Sequence, residues 1–203
     1  MLPALRIELP EAGSFDPRGL FGPDLDAVWL EVGFGAGEHL AAQAAADPRR
    51  GVIGCEVFEN GIVKLLAEIS RRGLGNIRLF IDDARLLIAA LPEASLDRAF
   101  ILFPDPWPKL RHHKRRIVSA ATLDGLARAL RDGAELRLAT DDRDYLRWML
   151  EHATAHPAFE WLARRPQDWR ERPADWPPTR YEQKALAAGR QPVFLRFRRR
   201  PRV

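Results

Sequence analysis

Short apolar runs alternate along this chain with segments whose apolar residues recur every three or four positions. Residues 27–34 (AVWLEVGF), 51–57 (GVIGCEV), 76–82 (NIRLFID), 96–104 (LDRAFILFP) and 134–140 (AELRLAT) have the length and character of buried strands. Residues 38–46, 60–72, 84–91 and 114–131 carry the helical spacing. Within 60–72, Ile62, Leu65, Leu66 and Ile69 make one stripe, and Lys64, Glu68, Arg71 and Arg72 fall mostly off it. Strand and helix in strict alternation imply parallel pairing through right-handed crossovers. The expected fold is therefore α/β, a doubly wound, mostly parallel sheet. Residues 193–199 (VFLRFRR) alternate before turning basic, as an edge strand would, and 164–179, rich in Pro, Trp and charge, read as a long loop.

Composition narrows the class. The 203 residues, 46% hydrophobic and 30% charged, suit one globular domain and exclude wholesale disorder. No apolar run approaches the roughly 20 residues of a membrane helix, and the first sixteen residues lack the long apolar core of a signal peptide. A single cysteine, Cys55, can form neither an internal disulfide nor a cysteine-based metal cluster, and inside a strand it reads as a small core residue. These features point to the cytoplasm, with no membrane and no metal. The net charge of +4 is uneven: residues 160–203 hold 12 Lys/Arg against 5 Asp/Glu, and residues 1–159 hold 20 against 23. Residues 109–116 add five basic side chains and two histidines with no acid. Positive charge gathered this way suits a polyanion.

In doubly wound sheets ligands bind outside the carboxyl ends of the strands. Strand one ends in Glu31-Val32-Gly33-Phe34-Gly35-Ala36-Gly37-Glu38. Glycines at 33, 35 and 37 permit a tight turn that a ligand can approach closely. The spacing is G-x-G-x-G, not the dinucleotide G-x-G-x-x-G, and Glu38 would confront a pyrophosphate; a nucleoside without phosphates fits better. Glu56, nineteen residues past Gly37, is placed to accept from ribose hydroxyls. Asp83 is placed to meet an adenine edge, with Asp82 as its rival and a helix cap as the plainer role for either.

The most distinctive segment follows strand four: Phe103-Pro104-Asp105-Pro106-Trp107-Pro108-Lys109-Leu110-Arg111-His112-His113-Lys114-Arg115-Arg116. A stiffened carboxylate, an aromatic face and a basic run in one loop suit a base on a phosphate backbone. This loop closely resembles the FPDPW-x-K-x-R-H-x-K-R-R signature of bacterial tRNA (guanine-N7)-methyltransferases, the TrmB family. LEVGFGAGEHL and GCEVFENGI resemble the family's first two motifs. LATDDRDYL is similar to its A-T-D-x-x-x-Y segment, and Thr179-Arg180-Tyr181-Glu182 to its T-K-F-E box. The resemblance spans residues 28–197 in order. It departs after the box, where the chain reads QKALAAGRQPVFLRF without the family's longer Gly- and His-containing stretch, and at the N-terminus, which lacks a strongly basic arm.

The resemblance implies a Rossmann-like S-adenosylmethionine-dependent enzyme that methylates N7 of guanine in tRNA, at position 46 of the variable loop; the sequence leaves monomer and homodimer both open. It implies that Glu31, Glu56, Asp83 and Asp105, with the glycines of the first turn, line the S-adenosylmethionine site. It also implies that Lys109, Asp141, Thr179, Arg180, Tyr181 and Glu182 contact the RNA substrate. Guanine N7 carries an in-plane lone pair and needs no deprotonation, so alignment can carry the transfer and no nucleophile–base pair is required. Asp105 and Asp141 are the candidate catalytic groups. Asp141, Asp105 and Glu182 are the candidate acceptors for guanine N1–H and its amine, with Asp141 and Glu182 assigned to the base and Asp142 to a helix cap. Lys109, Arg111, Lys114, Arg115 and Arg116 are expected to hold phosphates, with His112 and His113 facing phosphate or solvent. A nicotinamide-dependent oxidoreductase shares the glycine turn and Glu56 but leaves the FPDPW loop unexplained. A non-catalytic RNA-binding relative would not need the acids that follow the strands.

Overall fold

The computed structural model describes residues 1–10 and 15–202. Among the described residues, seven strands form one sheet: β1 (Ala27–Val32), β2 (Arg50–Cys55), β3 (Ile77–Phe80), β4 (Leu96–Leu102), β5 (Leu130–Thr140), β6 (Phe159–Trp161) and β7 (Val193–Arg199). Their order is β3-β2-β1-β4-β5-β7-β6, parallel from β3 to β5 and antiparallel at β5–β7 and β7–β6. Strand order reverses between β1 and β4, so the ligand-facing crevice opens there.

Period-two alternation sends Val28, Leu30 and Val32 of β1 into one core and Trp29 into another. The first face is covered by α4 (Ala84–Ala90), α5 (Ala120–Ala129) and α6 (Arg143–Ala155), through Leu87, Leu126, Tyr145 and Met149 among others. On the second face the short α1 (Leu2–Leu5), α2 (Glu38–Ala46) and α3 (Glu59–Arg72) bring Leu5, Leu40, Ile62, Leu65 and Ile69 against Val52 and Leu79. Farther along that face, Trp29, Phe100, Ala139 and Phe194 pack beneath Trp176. Among the described residues no helix is long and apolar enough to cross a membrane.

Two sequence expectations are corrected. Residues 193–199 do form a strand, but β7 lies inside the sheet; the edge is β6, whose three residues are too few to show alternation. The helix expected over 114–131 is shorter. The basic run forms a separate 3-10 turn, Leu110–Arg115, and α5 begins only after Ser119, whose hydroxyl accepts from Thr122 N–H. The loop expected over 164–179 is open apart from the single turn α7 (Gln167–Arg170), and it leads into α8 (Arg180–Ala187).

Candidate active site

The turn after β1 is built on backbone that only glycine adopts easily: Gly33, Gly35 and Gly37 have φ of +71°, +58° and +79°. A Cβ on Gly33 would meet nothing within 4 Å, so the open side of this residue faces free space. The start of α3 is packed on the same turn; a Cβ on Gly61 would lie 2.0 Å from the Gly35 carbonyl oxygen. Glu56 ties the two together. Its Oε2 accepts from Gly35 N–H at 2.8 Å, and its Oε1 accepts from Val57 and Phe58 N–H at 2.8 and 3.0 Å. A carboxylate offers about four lone-pair positions, so roughly one is left for a ligand hydroxyl. After β3, Asp83 caps α4 by accepting from Arg85 N–H at 3.0 Å, and Asp82 accepts from Asp83 N–H at 2.6 Å. The capping role of Asp83 is real, and its carboxylate still borders the crevice.

The loop after β4 bends through left-handed backbone at two residues that are not glycine, Phe103 (φ +50°) and Trp107 (φ +45°). Such conformations cost of order 1–3 kcal/mol each and persist only where surroundings enforce them. Arg116 supplies much of that enforcement. Its Nε donates to the Pro106 carbonyl at 2.8 Å, and a terminal nitrogen donates to Asp144 at 2.5 Å. The guanidinium lies 4.9 Å from the ring centres of both Tyr145 and Trp148, and the residue is only 2% exposed. The Arg116 hydrogen bond holds the Asp144 carboxyl below its ordinary range. Arg116, expected among the phosphate contacts, is thus a buried clamp on the FPDPW loop. The aromatic side chains that bury it come from α6, some thirty residues away, which is why the local run of basic residues gave no sign of it.

These elements enclose a cavity of about 560 Å³ lined by Gly33, Gly35, Glu56, Asp83, Asp105 and Tyr181, with Val57, Phe58, Phe103 and Trp107 as apolar walls. Arg115 borders it too, its guanidinium 4.8 Å from the centre of the Trp107 ring. Val57 and Phe58 are exposed, and nothing in the sequence marks them as cavity walls. Burial raises the Tyr181 phenol above its ordinary pKa.

Other expected site residues lie elsewhere. Glu31 is buried behind the turn, held by His39 Nδ1 at 2.7 Å, and borders a small adjoining recess shared with Thr179 and Tyr181. Gly37 is the residue before α2 and stays outside the cavity. Lys109, Arg111 and Lys114 are exposed, as phosphate contacts would be. Asp141 does not line the cavity; its Oδ2 accepts from Arg190 Nε at 2.5 Å. Asp142 is the cap of α6, accepting from Tyr145 N–H at 2.7 Å, as expected. Thr179 caps α8 by accepting from Glu182 N–H at 3.2 Å, and Arg180 pairs with Glu38. Glu182 is buried and accepts from Arg172 Nε at 3.1 Å. The T-x-x-E spacing is itself a helix-start signal, and it could have marked Glu182 as part of α8's first turn. No such signal exists for Arg172 or Arg190, which reach these acids across the fold.

The methyltransferase family model Methyltransf_4 matches residues 26–195. The tRNA (guanine-N(7)-)-methyltransferase of Rhodospirillum rubrum is 58% identical, covering 100% of this chain and 81% of that protein. The protein of the same name from Paramagnetospirillum magneticum is 53% identical, covering 100% of this chain and 85% of its own. Among solved structures, the 16S rRNA methyltransferase KamB superposes with a TM-score of 0.64 at 18% identity, over 88% of this chain and 90% of that one. TrmN from Thermus thermophilus gives 0.61 at 20% identity, over 86% and 44%. These two share the fold, whose order places the cavity at the carboxyl ends of β1 to β4. By sequence similarity over its whole length, the chain belongs to the family of tRNA (guanine-N7)-methyltransferases.

Proposed function

We infer that this protein transfers a methyl group from S-adenosylmethionine to N7 of a guanine in tRNA, at position 46 of the variable loop. The observation that carries the reading is the convergence of Glu56, Asp83 and Asp105 on one cavity beside the open face of Gly33. Four carboxylates border it, counting Asp82, against the guanidiniums of Arg85 and Arg115. That donor set suits a cationic nucleoside better than a pyrophosphate, and the apolar walls suit a purine. S-adenosylmethionine, when bound, supplies a methyl group already activated by its sulfonium.

The chain's own residues would then bind and align. Glu56 would accept from a ribose hydroxyl while keeping the turn rigid through its three backbone contacts. Asp83 would face the adenine edge, and Asp105, held in place by Arg116 through Pro106, would stand nearest the reacting centre. Since guanine N7 needs no base, positioning is the main demand, and it can supply on the order of 7–11 kcal/mol in well-oriented systems. The product base gains positive charge, which nearby carboxylates stabilise. Lys109, Arg111, Lys114 and Arg115 would hold phosphates. For Asp141 to accept from guanine, Arg190 must release it; a partly exposed pair is worth only about 0–1 kcal/mol, so the exchange is affordable. Glu182 keeps its Oε2 without a donor while Arg172 holds Oε1, so it could accept without an exchange. Unmodified tRNA incubated with the protein and labelled methyl donor should yield 7-methylguanosine at one position; another modified nucleoside, or none, would contradict the reading.

A further inference from the structure

A second polar site lies on the sheet face away from the core of α4 to α6. Sheet faces under a covering loop are ordinarily apolar, yet here a row of arginines crosses four strands. Trp29 of β1 stands opposite Arg98 of β4, Arg98 opposite Glu135 of β5, and Arg137 of β5 opposite Arg196 of β7. Arg50 and Arg98 both lie over the Trp29 ring, at 3.7 and 4.3 Å from its centre. The segment 172–178 closes over them and leaves a recess of about 510 Å³ whose lining includes Trp29, Arg50, Arg98, Arg172 and Trp176 together with one carboxylate, Asp175. We propose that this recess binds a phosphoryl group, with Arg50, Arg98 and Arg172 as its cationic contacts.

Two independent features carry this. The first is charge. Five guanidiniums (Arg50, Arg98, Arg137, Arg172, Arg196) share four carboxylates (Asp47, Glu135, Asp175, Glu182), leaving one positive charge uncompensated. Arg98 is the worst served: its nearest acid, Asp175, is 3.6 Å away, and burial together with Arg137 pushes its pKa down to about 10. The second is an excess of donors. Among the described residues, Arg98 Nε, Arg137 Nη1 and Trp176 Nε1 are buried N–H groups without an acceptor, and all three belong to this cluster. Against them stands one acceptor without a donor, Glu182 Oε2. Buried donors without partners are costly, and an oxyanion in the recess offsets the charge deficit while placing acceptor oxygens beside Arg98 and Trp176, which line it.

The phosphoryl group could belong to a nucleic-acid backbone or to a small phosphate. The RNA source rests on the function proposed above and is favoured by continuity, because Arg172 lines the recess and also holds Glu182 at the start of α8. Inorganic phosphate is the first probe, compared with chloride at equal ionic strength. Phosphate should raise the melting temperature of the full chain, by mass action on the folded state, and Arg98→Gln should weaken its binding about tenfold or more. Arg98→Lys should recover only part, since an ammonium cannot present the guanidinium fork. Arg98→Gln gives up the Trp29 ring contact and the 3.6 Å Asp175 pair but relieves an undercompensated buried charge, so without phosphate its melting temperature should stay within a few degrees of the parent; a large drop would instead make Arg98 a structural ion-pair partner and overturn the proposal. So would equal stabilisation by phosphate and chloride. With phosphate binding established, weaker tRNA binding by Arg98→Gln identifies the RNA backbone as the source, and unchanged tRNA binding identifies a small phosphate. Neither result depends on methyl transfer, so failure here is distinct from failure of the proposed reaction.

Discussion

The acids on the two sides of the crevice are held in different ways. On the side built from β1 to β4, Glu56 is held by backbone N–H groups, Asp83 caps a helix with the exposed Arg85 guanidinium 3.4 Å away, and Asp105 stands between two prolines; all three face one cavity. On the side built from β5, β7 and α8, Asp141 and Glu182 are each held by an arginine, Arg190 and Arg172. Neutral amides and rigid backbone leave a carboxylate's charge available, whereas a closely held guanidinium neutralises it; the longer, half-exposed Asp83–Arg85 pair takes little of that charge. On the proposed function, the first side would take a cationic nucleoside as it stands. Asp141 on the second side must, on the same reading, leave Arg190 to take a base, and the arginine so released would be free for a phosphate that arrives with that base.

That contrast can be broken or sharpened by substitution. The largest effect is expected from Asp105→Asn, which should lower methyl transfer by about 10²–10³ in single turnover with saturating methyl donor, the range for losing one electrostatic stabiliser. Transfer at the parent rate would remove Asp105 from the reacting centre. Arg116→Ala should cost about 3 kcal/mol from two charge-assisted hydrogen bonds and two ring contacts, lowering the melting temperature by roughly 6–12 °C. Because the Asp144 carboxyl is held below its ordinary pKa, its contribution through this pair is full at neutral pH and fades as pH falls through that depressed value. A melting temperature that does not move, or a flatter salt dependence of RNA binding in this variant, would return Arg116 to the RNA surface.

Smaller effects follow on the binding surfaces. Glu56→Ala should weaken S-adenosylmethionine binding by about tenfold or more, through the lost hydroxyl contact and a looser turn; calorimetry showing parent affinity in a folded variant would reject the assignment. Neutralising Lys114 and Arg115 together should reduce the slope of log affinity against log salt by about 1.4, two phosphates at roughly 0.7 each on single-stranded RNA. An unchanged slope would make both a solvated face. Arg190→Gln should move stability by no more than about 1 kcal/mol, since its side chain is half exposed. A larger loss would mean that the Asp141 pair is structural.

What the sequence made legible follows the range of the interactions involved. β1 to β5, the glycine turn and the FPDPW loop were readable because their signals are local: apolar period, glycines at the turn, prolines around an acid. The interior position of β7 was not, because it depends on a three-residue partner, β6. Nor was the burial of Arg116, set by Tyr145 and Trp148, or the capture of Asp141 by Arg190 forty-nine residues later. Residue types named the chemistry of each acid, but which neighbour occupies it is decided by packing across the fold.

The division of labour between the two sides is tested most directly by Asp141→Asn, assayed for S-adenosylmethionine affinity and for single-turnover transfer to unmodified tRNA. If Asp141 serves the base and not the methyl donor, cofactor affinity stays within a few-fold of the parent while formation of 7-methylguanosine falls by about 10²–10³. Transfer at the parent rate, or a loss of cofactor binding that matches the loss of transfer, would contradict it.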